Sequence, residues 1–188
     1  MKTTSPLSRA AYPLGSKPRL ALALLVNTAL RCADVVRTGR GNVRNGTLHI
    51  TQQKTGTALA IPINAALAEA INAAAPSGHV TFLLNERGQA FNARAFSKWF
   101  VKQCRRVELR GLSAHGLRKA ACRRLAEAGC SANEIAAISG HKSLNEVARY
   151  TREADQARMA RNAMARTDQQ HRLANPVATS GKPGEKGR

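Results

Sequence analysis

The sequence predicts an α+β domain, mainly helical with a small antiparallel sheet, and three observations carry that prediction. Capping residues recur ahead of helical stretches: Asn64, Ser113, Ser131 with Glu134, and Ser143 with Glu146, the last two pairs at capping-box spacing. Residues 47–51 and 57–63 alternate in polarity on either side of a short polar turn, Q-Q-K-T-G, and read as a hairpin with Leu59, Ile61 and Ile63 on one face. The run up to Leu30 is apolar on nearly every face, as a helix at the centre of a domain requires. A chain of 188 residues has room for one such domain and a real core, but for no second large one.

Taken in order, residues 1–17 contain Pro6, Pro13 and Gly15 and read as an arm or loop. Pro18 suits the first turn of the apolar helix. Its apolar stretch is too short, and lacks the cleavage pattern, to be a signal peptide or a membrane span. Arg31 follows at its end, where by itself it reads as a cation at a helix C-terminus. Lys54 stands near the hairpin tip, by itself a solvated turn lysine. Asn64 opens an alanine-rich helix to about residue 75, and residues 80–84 have the pattern of a third, edge strand. In the next helix, 92–107, Phe96, Phe100 and Val107 lie toward the core with Trp99 close by, and Arg94, Lys98, Lys102, Arg105 and Arg106 line the other side. Ser113 as N-cap places His115 in a first turn, where free N–H groups favour an anion, and Arg118 shares its face. His141 sits in the turn Gly140-His141-Lys142, and Tyr150 is expected near the end of a following short helix. A further helical stretch, 152–166, carries a modest stripe of Ala157, Ala160 and Met164, and the composition from Thr167 onward is that of a disordered basic tail. The expected layout is therefore an arm at 1–17, a domain at 18–166 and a tail at 167–188.

Charge narrows the function. Lys and Arg number 30 against 11 acids, for a net +19 and a pI near 11.3, the footprint of a polyanion partner. A basic membrane-surface protein is the rival reading. Aromatics make up only 4%, which excludes a platform that threads single-stranded bases between rings. From Arg94 to Arg124 the basic residues include Arg94, Lys98, Lys102, Arg105, Arg106, Lys119 and Arg123, and the sole acid is Glu108, so contact with a DNA duplex backbone is expected. Cys32, Cys104, Cys122 and Cys130 form no zinc-like grouping and fit free thiols in a reducing cytoplasm. Residues 134–150 alone could also form a helix-turn-helix regulator's reading unit.

Four motifs decide between these readings. H-G-L-R at 115–118, G-H-K-S at 140–143 and a tyrosine nine residues past His141 resemble the catalytic motifs of the tyrosine recombinases, the phage integrase family. Upstream, T-A-L-R-C-A-D-V-V and Q-Q-K-T-G supply the family's first arginine, Arg31, and its hairpin lysine, Lys54, so the resemblance runs from about Pro18 to about Arg166. It implies a DNA breaking-rejoining catalytic domain in which Tyr150 attacks a phosphodiester to give a 3′-phosphotyrosine. Arg31 and Arg118 would clamp the phosphate and His115 would act as base. Lys54 would protonate the departing 5′-oxygen, His141 would hydrogen-bond the phosphate, and Asp34 would orient Arg31. The scheme calls for no metal and no cofactor. Its implied partner is double-stranded DNA, bound by a homo-tetramer that exchanges C-terminal helices, in the cytoplasm at the nucleoid and away from membranes. Two departures stand out. Ala29 replaces the family's common glycine in T-G-L-R, and residues 1–17 cannot supply the usual N-terminal clamp domain, so a truncated recombinase is expected, with a binding-only remnant as the alternative.

Overall fold

A helix that is apolar all round must be covered all round, and α1 (Lys17–Thr28) is. In the computed structural model, which describes residues 12–75 and 80–174, Leu20, Ala21, Leu24 and Leu25 are buried, and α1 packs against three later helices: α3 (Ala65–Ala73), α4 (Ala93–Arg106) and α5 (Ala114–Glu127). Pro18 lies in its first turn, as expected. Ala29 ends it at φ 51° and ψ 22°, in the left-handed region, and the chain re-enters a short helix, α2 (Cys32–Val35).

A 3-10 turn (Arg40–Asn42) leads into the sheet, β1 (Val43–Arg44), β2 (Thr47–Thr51) and β3 (Ala58–Pro62), antiparallel in that order. Leu48 pairs with Ile61 and Ile50 with Leu59, and these four face the core while their neighbours face out. The third strand is not the one expected at 80–84. That segment makes only an isolated bridge, Leu84 to Ala90, while Phe82 N–H donates to the Thr38 carbonyl (2.8 Å). The sheet's edge is β1, joined to β2 by Asn45-Gly46 at φ 49° and 71°. Two positive φ values in a two-residue loop are what a type I′ hairpin requires, and Asn-Gly is its strongest sequence signal.

Two of the remaining helices begin on the expected caps Asn64 and Ser113, and a third on Asn92, which is not among the expected ones. Asn64, Asn92 and Ser113 each accept a backbone N–H three residues on. On α4, Phe96 and Phe100 are buried, and Phe96 meets Phe91 edge-on at 5.8 Å between ring centres. Burying a Phe of this kind contributes about 1.5–3 kcal/mol. Arg94, Lys98, Lys102, Arg105 and Arg106 are exposed. Helix α6 (Ala132–Ser139) opens on a complete Ser131/Glu134 capping box and closes on Gly140 at φ 69°.

The last helix differs most from expectation. It is one continuous element, α7 (Leu144–Ala174), of 31 residues, so Tyr150 lies in a helix interior and not near an end. Residues 151–174 contain neither glycine nor proline and are rich in strong helix formers, so nothing stops the helix after Tyr150. No Ser143–Glu146 capping box forms among the described residues. From Arg158 to Gln170 every residue is exposed, Met164 at 63%, so of the expected apolar stripe only Ala157 is half-buried, and Ala160 and Met164 are covered by nothing among the described residues. The helix runs past Thr167, where the tail was expected to begin; residues 175–188 and most of the expected arm lie outside the described residues. No helix among the described residues is long and apolar enough to cross a membrane.

Ala29 sets two effects against each other. Its left-handed conformation costs about 1–2 kcal/mol, while its buried methyl contributes about 0.8 kcal/mol that glycine would forfeit. The conformational cost is the larger, so Ala29→Gly is expected to raise stability by up to about 1 kcal/mol. Denaturant unfolding checks this: the midpoint should rise at constant slope, and a lower midpoint would mean that the methyl contact dominates.

Candidate active site

Two helix ends meet over a buried arginine. Arg118, on the second turn of α5, is 5% exposed, and its Nη1 donates to the Ala29 carbonyl at the end of α1 and to the Ser139 carbonyl at the end of α6 (3.0 Å). Helix C-termini carry unpaired carbonyls and the negative end of the dipole, so a guanidinium between them is well placed. Burial lowers the Arg118 pKa, and the nearby Arg31 charge lowers it further.

The other arm of the same guanidinium fixes a histidine. Arg118 Nη2 lies 3.1 Å from His141 Nε2, and a guanidinium can only donate. Nε2 must therefore be the bare acceptor and the ring proton must be on Nδ1, which sits 2.6 Å from Ser139 Oγ. Ser139 in turn donates its hydroxyl proton to the Ile135 carbonyl (2.6 Å). The chain of donors runs one way and is complete with a neutral imidazole. Burial, then Arg118, lowers the His141 pKa, and the Glu146 carboxylate, 3.8 Å from Nε2, opposes them. That contact is what Glu146 makes in place of the expected capping box.

Arg31 lies at the start of α2, and its Nη1 donates to Gln52 Oε1 at 2.9 Å. The expected pairing of Arg31 with Asp34 is not what holds it. Asp34 is fully buried, its Oδ1 accepts from the Gln53 backbone N–H at 2.8 Å, and its only ion-pair neighbour among the described residues is Arg37 at 4.0 Å. The acid thus anchors the β2–β3 turn to α2. An i, i+3 spacing on so short a helix left Arg31 free to reach across to the sheet instead.

Tyr150 packs its ring on a small cluster that includes Ala29, Ala121, Cys122, Ile135 and Val147. Burial is the main cause that raises its pKa, with Cys122 adding to it and Arg118 opposing. Arg31, Arg118, His141 and Tyr150 are therefore one neighbourhood, joined by hydrogen bonds and mutual fields. Lys54 and His115 are exposed, at the hairpin tip and in the first turn of α5, and neither side chain has a hydrogen bond or ion pair among the described residues. Of the expected DNA-facing residues, Lys119 is exposed on α5, whereas Arg123 is engaged by Glu153 of α7 at 3.1 Å. Gln52 and Ser139 are site residues that the sequence does not single out; the signal for Gln52 is its place in the Q-Q-K-T-G turn, two residues before Lys54.

The phage integrase family model matches residues 5–157. The integrase of Escherichia phage HK022 is 30% identical over 161 residues, covering 75% of this chain and 43% of that protein. The shufflon-specific DNA recombinase of Escherichia coli is 29% identical over 133 residues, covering 68% of this chain and 33% of that protein. The chain thus spans less than half the length of these relatives. Among solved structures, a lambda integrase tetramer bound to a Holliday junction superposes with a TM-score of 0.60 at 26% identity, covering 73% of this chain and 44% of that one. With a match over most of its length and its helices and hairpin in the same arrangement, the chain belongs to the phage integrase family.

Proposed function

We propose that this domain cuts and rejoins duplex DNA through a 3′-phosphotyrosine on Tyr150, as a tyrosine-type site-specific recombinase. The observation that carries the reading is the pair Arg31 and Arg118: each is held by neutral groups, and the charge of Arg31 depresses the pKa of Arg118. Two neighbouring cations with no ion-pair partner among the described residues create a demand for an anion. A phosphodiester satisfies it, and the added charge of the pentacoordinate transition state satisfies it better.

In the proposed sequence Arg118 Nη2 turns from His141 to a phosphate oxygen, while Nη1 stays on the helix ends. The freed His141 Nε2, now beside an anion and the Glu146 carboxylate, takes a proton from solvent and donates it to the phosphate as a hydrogen bond. Tyr150 begins as a neutral phenol. It loses its proton to His115, its oxygen bonds to phosphorus, and the bond from phosphorus to the 5′-oxygen breaks. Lys54 supplies the proton to that oxygen. Attack by a 5′-hydroxyl on the phosphotyrosine reverses the step or joins a new strand.

The exposed cations of α4, Arg94, Lys98, Lys102, Arg105 and Arg106, with Lys119 of α5, would follow the duplex backbone. The relatives named as an integrase and a DNA recombinase, and the tetramer on a Holliday junction, support double-stranded DNA as partner and a homo-tetramer as the working assembly. The exposed outer half of α7 is the segment available for exchange between subunits. The reading carries with it a cytoplasmic site of action at the nucleoid, which the four free cysteines are compatible with.

Two measurements test the proposal. On a nicked duplex pool whose short 5′ fragment diffuses away after cleavage, a protein–DNA adduct should accumulate in the presence of a chelator and vanish in Tyr150→Phe. Binding without any adduct would leave only the remnant reading. In a titration of DNA affinity against salt, Lys98→Ala and Lys102→Ala should each flatten the log–log slope by about 0.9; an unchanged slope would place the duplex elsewhere.

Acid should loosen the fold through His141. Its folded pKa lies below the unfolded value of about 6.5, so the unfolded state binds the extra proton first. The associated stability is complete above about pH 6.5 and is lost as pH falls from there through the folded value. Unfolding midpoints at neutral and acid pH should show the decline, and His141→Gln should remove part of it.

A further inference from the structure

We propose that Gln52 is a positioning residue for this reaction, joining the segments that carry Arg31, Lys54 and His141; the inference rests on the recombinase reading above. Its side chain is 1% exposed and every polar group on it is engaged. Oε1 accepts from Arg31 Nη1 (2.9 Å) and from Thr55 Oγ1 (2.8 Å), and Nε2 donates to the Ser139 carbonyl (2.9 Å). Its backbone closes the turn around Lys54, with N–H to the Thr57 carbonyl and C=O from the Gly56 N–H, both 2.9 Å.

Satisfied hydrogen bonds are what any buried amide needs. The partners are what distinguish this one. Thr55 neighbours Lys54, and Ser139 is two residues from His141, whose proton it receives. The fit is close: Gly140 sits at φ 69° directly against the Gln52 amide, and a Cβ there would collide with it. Arg31 is also under repulsion from Arg118, and a guanidinium on a flexible stem moves away from a like charge unless something holds it. The Gln52 oxygen is that hold. It is neutral, so it orients Arg31 without cancelling the charge that the phosphate needs.

The test is a double-mutant cycle read as the rate of Tyr150 adduct formation at saturating DNA. Gln52→Met keeps the length and loses the hydrogen bonds. It should slow cleavage ~10–100-fold, the scale of a small misplacement of a catalytic group, and leave DNA affinity unchanged. In an Arg31→Ala background the same substitution should cost clearly less than in the unsubstituted protein, because part of its effect passes through Arg31. A fully additive loss, a wild-type rate, or a defect in affinity alone would overturn the inference. Should Gln52→Met fail a thermal-melt check, Gln52→Asn, which draws the amide one carbon back from Arg31, serves in the same cycle. Absence of a Tyr150-dependent adduct in the unsubstituted protein would sink the recombinase reading and this inference with it. An active protein indifferent to Gln52 would sink this inference alone.

Discussion

The buried guanidinium of Arg118 is the constraint from which the rest of the site follows. A cation taken out of water needs compensation. Here its direct contacts are two helix-terminal carbonyls and a neutral imidazole, with no carboxylate among them. Those carbonyls end α1 and α6, so the group that would clamp a phosphate is also the strut between the central helix and the helix that leads to His141. Folding therefore delivers the clamp already oriented. The arrangement is a preorganised site in the strict sense, because the groups that hold it are backbone and cannot rotate away.

Carbonyls rather than acids at this position have a chemical consequence. A carboxylate against Arg118 would stabilise the resting fold more, but it would also occupy the guanidinium and offset its charge. The nearest buried acid, Asp34, is turned to the Gln53 amide, and its second oxygen has no hydrogen-bond partner among the described residues. It raises the Arg118 pKa from a distance, as the least of the contributors. The site gives up some stability in the unliganded state and keeps a positive potential for an incoming anion, the usual bargain at a functional centre.

The helix starts and the central hairpin were legible because each is encoded locally: a cap three residues from its N–H, an alternation of period two. Misreadings arose where a local pattern met a non-local competitor. Residues 80–84 alternate like a strand, yet Phe82 bonds to Thr38 and the sheet edge goes to the two residues before Asn45-Gly46, a turn signal that the sequence does carry. Tyr150 ended up mid-helix because the expected break after it had no breaker residue behind it. The partners of polar side chains were the least legible of all. Gln52 reaches Ser139 across 87 positions and Arg31 across 21, and no periodicity encodes such a contact. Motif spacing pointed to residues with conspicuous chemistry; the amide and hydroxyl that hold them carry no such mark.

Ala29 shows how closely the arginines are geared to one backbone feature. The left-handed turn at this residue aims its carbonyl at Arg118, and two residues later the same chain starts α2 at Arg31. One pair of torsions thus links the carbonyl that Arg118 grips to the backbone that carries Arg31. Glycine would adopt these angles without penalty and many others besides, so it holds the turn only as firmly as the surroundings insist. Alanine strains the native turn, yet its methyl belongs to the buried cluster of Ala121, Cys122, Ile135 and Val147, against which Tyr150 also packs. The side chain therefore registers the arginine turn against the helix that carries the tyrosine. A backbone movement at this turn would have to unseat that methyl, which ties the arginine turn to the cluster that Tyr150 packs on.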